Sequence, residues 1–249
     1  MANKTGPTMI SDVDLYKSST VASSVWNVGD VVEGNKGRKY RYVLNGAAAL
    51  VVGNVIQESA NDTTYANMTV RTAGVVGDKY LAITNGTATI TSAQFVGGTI
   101  GVYTAGTVTV GDEYVITKIT GTLTTGGALK VYLDRPLRYA FTTSATVNMK
   151  RSPWSGVIQF PTTQTGMVAG VAQYAIPLEE YGWIQTHGEC TALSDGSSFA
   201  VGSNVSSKGN SGTAGCVSVE VAGTQQQRLG YARQVAASTK GIAIFLQID

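Results

Sequence analysis

The sequence predicts an all-β protein built from two modules, and three observations support that expectation. Thirty glycines stand against five prolines, Thr and Val are abundant, and no window repeats apolar residues at the three- and four-residue spacing of a capped helix. β-Branched side chains keep few χ1 wells and pack well on a pleated surface, so this composition favours strands joined by tight turns. With 43% hydrophobic and 14% charged residues in 249, the chain can bury a core. Its length suits two β modules. The expected architecture is two antiparallel sandwich or barrel-like modules with short turns, preceded by a polar arm.

Residues 1–24 are polar and Ser/Thr-rich, with Pro7 and the pairs Ser18-Ser19 and Ser23-Ser24. They read as the arm, which either orders on a neighbour or frays. The first β domain is expected over 25–149. Within it Asn45-Gly46 and Asn85-Gly86 supply the left-handed backbone of a tight turn. Alternation in Thr87–Thr91 and in Thr107–Val110 marks half-buried antiparallel strands. Val76-Gly77-Asp78-Lys79-Tyr80 is echoed by Val110-Gly111-Asp112-Glu113-Tyr114 and by Val28-Gly29-Asp30. The spacing is not sustained, so the echo reads as recurring hairpin grammar and not a solenoid period.

Leu129-Lys130-Val131-Tyr132-Leu133 alternates again, Pro136 removes a ladder donor, and the boundary falls near residue 150. The second β domain then covers 150–249. In it Val217, Val219 and Val221 share one strand face, and Ile242, Ile244, Leu246 and Ile248 share another. Ala243 and Phe245 on the opposite side predict a last strand buried on both faces.

The sequence offers little catalytic chemistry. The net charge of +2 is spread without the Lys/Arg clustering of a phosphate-neutralising groove, which argues against nucleic acid. No stretch reaches the roughly 20 apolar residues of a membrane helix, and Met1-Ala2-Asn3-Lys4 opens without an apolar leader, so synthesis in the cytoplasm is expected. Cys190 and Cys216 read as buried thiols, with a disulfide as the alternative. His187 beside Glu189 and Cys190 matches no metal-ligand spacing, and a packed or hydrogen-bonded histidine is the better reading. Gly209-Asn210-Ser211-Gly212 resembles a serine-nucleophile segment but lacks a placed acid, so it reads as a turn. Gly209, Gly212 and Gly215 open no helix after a strand, so no dinucleotide cofactor is expected. Glu179-Glu180 point to opposite faces of an extended chain and make no acid and base pair. Two basic groups remain as partner-contact candidates: Arg38, Lys39 and Arg41, and then Arg135, Arg138, Lys150 and Arg151. Solvated hairpin faces are their ordinary alternative.

Arg41-Tyr42-Val43-Leu44-Asn45-Gly46, Tyr181-Gly182-Trp183-Ile184-Gln185-Thr186-His187-Gly188, Gly166 to Gly170 and the β-strand C-terminus give the chain a pattern over residues 26–249. It resembles the minor capsid and head-decoration (cement) proteins of tailed bacteriophages. The resemblance implies a homotrimer on the capsid exterior of the virion that binds the phage major capsid protein and bridges capsomers, with no cofactor, nucleic acid or membrane. A tail, fibre or baseplate component binding a host-surface glycan or protein is the alternative, with Tyr16, Tyr65 and Trp154 as its aromatic candidates. A polysaccharide-degrading enzyme would need two facing carboxylates, and the sequence indicates no such pair.

Overall fold

In the computed structural model, residues 8–9, 12–103, 112–207, 213–222, 226–236 and 239–249 are described. Thr107–Val110, Gly111 and Gly209-Asn210-Ser211-Gly212 lie outside them. The fold is all-β, with 44% strand against 4% helix, and it contains a closed five-stranded barrel and a nearly closed six-stranded one. In chain order the strands are β1 (Thr8–Met9), β2 (Val31–Glu33), β3 (Lys39–Asn45) and β4 (Val55–Gln57). Then come β5 (Met68–Thr69), β6 (Tyr80–Thr84), β7 (Thr99–Tyr103), β8 (Asp112–Gly121), β9 (Ala128–Leu133) and β10 (Thr146–Lys150). The chain continues with β11 (Ser155–Gln159), β12 (Val168–Ala172), β13 (Tyr181–Leu193), β14 (Asn204–Ser207), β15 (Val217–Val219), β16 (Arg228–Ala232) and β17 (Gly241–Gln247). A four-residue helix, α1 (Asp12–Leu15), precedes β2.

The chain forms two compact units, but they are not consecutive. Residues up to Ala60 group with Pro153–Asp249, and Asn61–Ser152 form the second unit. The expected boundary near 150 therefore marks the end of an inserted unit, and the proposed 25–149 domain is corrected: its first part belongs with the C-terminal half. The physical reason is strand pairing, because β3 closes the first barrel against β13 in the order β3-β11-β4-β12-β13. The pairing of β3 with β11 is parallel and the other barrel pairings are antiparallel.

The segment read as a free arm is also corrected where it is described. Leu15 is buried with Val32, Tyr40, Tyr42 and Trp183, Ser19 bridges Tyr181, and the Tyr174 hydroxyl donates to the Lys17 carbonyl at 2.5 Å. Burial of Leu15 among aromatics and these two backbone tethers together hold the stretch on the first unit.

Strand β13 serves three partners in the first unit, with β12 beside its first half. Its first half pairs with β3 and its second half with β17, and His187 lies opposite Lys39 on one side and Gln247 on the other. Beyond β17 the sheet continues through β16, β14 and β15 over a core that includes Val205, Val217, Leu229, Ile242, Ile244 and Leu246. Two expectations change here. Val221 is exposed and outside β15, and the second face of β17, with Ala243 and Phe245, is only half-buried. The second unit runs β5-β10-β7-β8-β9-β6 around its own core, and a Val70–Ile83 bridge brings its edges together. Thr87–Thr91 forms no strand there; Ile90 alone of the five is buried, in a loop.

The Asn-Gly pairs do something other than turn the chain. Neither Asn45, Gly46, Asn85 nor Gly86 adopts a positive φ. Both asparagines point inward. The Asn45 side-chain amide donates to the carbonyls of Ala48, Ile176 and Pro177 at 2.8–2.9 Å. Asn85 donates to those of Ala88, Leu123 and Thr124 at 2.9–3.0 Å. The glycines are needed for close approach: a Cβ on Gly46 would lie 2.9 Å from the Gly156 carbonyl oxygen, and one on Gly86 would lie 2.3 Å from that of Thr64.

The two clamps are copies. Leu50 and Ile90, each five residues after its asparagine, donate to Ile176 and Leu123; Glu180 and Gly127 donate to Pro177 and Thr124. Leu44 faces Tyr181 as Thr84 faces Ala128. Lys39-Tyr40, Asn45-Gly46, Ala48 and Leu50 thus recur 40 residues later as Lys79-Tyr80, Asn85-Gly86, Ala88 and Ile90. One clamped-barrel pattern is used in both units. The Val-Gly echo is also a single turn used repeatedly. In Asn27–Asp30, Val75–Asp78 and Ala200–Ser203 the fourth residue's side chain accepts from the first residue's N–H, and a glycine at φ between 84° and 99° holds the third place.

Candidate functional site

The first unit has a shallow open groove of about 440 Å³ lined by Arg38, Gln173, Glu189, Cys190, Thr191 and Arg233 among others. β13 supplies its floor and β17 one wall. Arg233 pairs with Glu189 at 2.9 Å, and the Gln173 amide donates to the Thr191 carbonyl at 3.3 Å. Cys190 lies beneath them, where burial pushes its thiol up to about 12 against a smaller opposing effect of Arg38. A thiolate is the reactive form of cysteine, so this sulfur is inert at neutral pH. His187 does not activate it: its Nδ1 lies 3.0 Å from the Asp249 carbonyl oxygen and its ring stands edge-on to Phe245 at 5.4 Å. The packed histidine expected from the sequence is what is found. Cys190 and Cys216 are both buried and form no disulfide. Iodoacetamide at pH 8 is expected to label neither cysteine in the native protein and both after denaturation, as read by intact mass.

The basic candidates fall in different units. In the first unit Arg38 lies at the groove and Lys39 opens β3. Arg41 is structural: it grips both carboxylate oxygens of Asp249 at 2.7 and 2.9 Å, donates to the Gly29 carbonyl at 2.8 Å, and lies 4.4 Å from the centre of the Trp154 ring. Burial raises the Asp249 pKa, but hydrogen bonds from Arg41 and Thr186 outweigh it and hold the carboxyl below its ordinary value. A depressed folded-state pKa gives stability that is present above the unfolded value and lost as pH falls through the folded one. Thermal stability is therefore expected to fall on acidification below the usual aspartate range, and Arg41→Gln should flatten that part of the pH–Tm curve.

In the second unit Arg138 pairs with buried Asp112, which also accepts from the Tyr114 hydroxyl. Arg135 donates to the Glu113 carbonyl and covers the Tyr114 ring. Burial of the Tyr114 ring, and then its bond to Asp112, raise that phenol's pKa. These two arginines hold the start of β8. Lys150 ends β10, and Arg151 lies over Phe95. The anticipated cluster thus divides, Arg135 and Arg138 binding the start of β8 and Lys150 and Arg151 lying at the end of β10. Among the described residues no group of three or more His, Cys, Asp or Glu side chains is placed to hold a metal.

Of the aromatic candidates, Tyr65 is buried against Phe95, Trp154 lies under Arg41, and Tyr16 remains exposed.

The sequence reading missed a further surface, the outer face of β6, β9 and β8. Tyr80 and Tyr132 are direct cross-strand partners with ring centres 5.9 Å apart. The Lys130 ammonium lies 5.1 Å from the Tyr80 ring centre and that of Lys118 lies 5.7 Å from the Tyr132 ring centre. Its signal was the alternation of Leu129–Leu133, which places Lys130 and Tyr132 outward. No family model, curated protein or solved structure matches the chain.

Proposed function

We propose that the chain is a virion structural protein that binds the outside of a tailed-phage capsid and bridges neighbouring capsomers, acting as a homotrimer. One observation carries this reading: in both units a buried asparagine clamps two loops to a strand end. That arrangement holds shape. A cement must keep its outline while many weak contacts add up across a lattice, and stiff closed sheets serve that better than a mobile cleft does. Exposed aliphatics at turns, among them Val52, Val76 and Val201, suit protein contacts. The tail-adhesin alternative keeps one of its three aromatic candidates at the surface, Tyr16.

The test mixes purified protein with shells of the encoding phage stripped of outer proteins and, in parallel, with host envelopes. Sedimentation with shells on the order of one copy per capsomer, saturating and competed by unlabelled protein, is expected. Removal by envelopes and not by shells would overturn the proposal in favour of the adhesin. Light scattering of the shell-bound material released by mild denaturant should give a mass of three 25.9 kDa chains.

A further inference from the structure

We infer that the outer face of β6, β9 and β8 in the second unit is a docking surface for an acidic polypeptide. The inference rests on the reading of the chain as a protein-binding structural component, and names the chemistry of one partner.

The comparison of the two barrels supplies the first argument. In the first unit the equivalent outer positions are Tyr40, Tyr42 and Trp183, since Tyr42 faces Trp183 as Ala82 faces Lys130, and Tyr40 faces Gln185 as Tyr80 faces Tyr132. Those aromatics are buried under the chain's own N-terminal residues, with Leu15, Trp26 and Val32 packed on them. In the second unit no such cover lies over the face among the described residues: Tyr80 is 39% exposed, and Lys118 and Lys130 are exposed. The same sheet position that takes a polypeptide cover in one unit is open in the other.

Charge supplies the second argument. Residues 61–152 carry eight Lys and Arg against five Asp and Glu, a net of +3. The acids are occupied elsewhere. Asp62, Asp78 and Asp134 accept from the backbone N–H groups of Thr64, Val75 and Val115, and Asp112 is bound by Arg138. Glu113 lies on the outer side of β8, but five residues from Lys118, about 16 Å along the strand. Among the described residues neither Lys118 nor Lys130 has a carboxylate within ion-pair distance, so each rests on a tyrosine ring. Such pairs hold a long side chain in place and leave the ammonium protons outward.

The same geometry selects the class of partner. Sugars bind aromatic platforms by stacking on ring faces, and here ammonium groups stand over both rings. Single-stranded nucleic acid needs a groove that tracks its backbone together with free rings for the bases. Two ammonium groups resting on rings beside two phenolic hydroxyls instead suit carboxylates on another protein surface.

The test measures binding of fluorescein-labelled poly-L-glutamate to the whole chain by anisotropy at low salt, with heparin and oligo-dT as parallel probes. Wild-type protein should bind poly-L-glutamate in preference to both, with affinity falling as salt rises. Lys118→Gln with Lys130→Gln should weaken it at least tenfold at unchanged Tm, and Lys17→Gln with Lys36→Gln, at two exposed lysines of the first unit, should change it less than twofold. No wild-type binding, equal loss in both double variants, or a preference for heparin or oligo-dT overturns the inference. The same variants in the shell assay separate the two readings. Face-dependent poly-L-glutamate binding without shell binding sinks the virion role alone, and undiminished shell binding by the Lys118/Lys130 variant sinks the face alone.

Discussion

Removing residues 242–249 is expected to abolish folding of the first unit while leaving the second intact. The deletion strips Ile242, Ile244 and Leu246, each with no exposed surface, and removes the partner strand from Cys190 and Ala192 on β13. Truncating one such side chain to alanine typically costs about 2–5 kcal/mol, so three together reach the whole stability of an ordinary domain, about 5–15 kcal/mol. Backbone pairing to β16 is lost as well, and so is Asp249, which neutralises Arg41. The second unit has a separate core of its own, from Tyr65 to Met149. Differential scanning calorimetry should therefore show one transition of reduced enthalpy, and near-ultraviolet circular dichroism should lose the signal of Trp26 and Trp183, which pack at 5.3 Å in the first unit. A truncated chain that melts with the full enthalpy would show that β17 is not part of the core.

How much of this was legible in the sequence depends on the range over which each interaction acts. Alternation is local, so Leu129–Leu133 and Ile242–Leu246 were legible as strands with those aliphatics inward, whereas the second face of the last strand, expected to be buried, is only half-buried. The nesting of one unit inside the other was not legible, because it follows from β3 pairing with a strand about 140 residues later, and nothing in either segment names its partner. The Asn-Gly pairs were read as turns for a sound local reason, since asparagine and glycine both tolerate left-handed backbone. The competing use of asparagine, as a two-donor amide for carbonyls, wins here, and those carbonyls lie up to 132 residues away. The 40-residue repeat is present in the sequence but is masked by Val-Gly-Asp, a turn that recurs at unequal spacing and marks no period. At the inferred docking face, Lys118 was hidden by a β-bulge between Ile116 and Lys118. Simple alternation sends Lys118 inward with Tyr114 and Ile116, and the extra residue returns it to the surface.

Asn85→Ala is expected to lower the stability of the second unit by about 3 kcal/mol, or roughly 15 °C in Tm for a unit of this size. Three carbonyls lose a donor at once. Leu123 and Thr124 keep one each, from Ile90 and Gly127, so the severe loss is at Ala88, whose carbonyl has only the asparagine among the bonds described. Removing one partner of a buried hydrogen bond leaves the other unpaired and costs more than the bond's net worth. Asn85→Asp should be no milder, because it replaces the donor amide by a buried carboxylate facing three carbonyl oxygens. The equivalent Asn45→Ala should act on the first unit by a similar amount, since Ala48, Ile176 and Pro177 stand in the same three places. Calorimetry should show each substitution moving one transition and leaving the other within about 2 °C, because the sites share no partners. A double variant whose two shifts add independently supports two separately clamped barrels, and a single merged transition in the wild type that both variants shift equally would refute them.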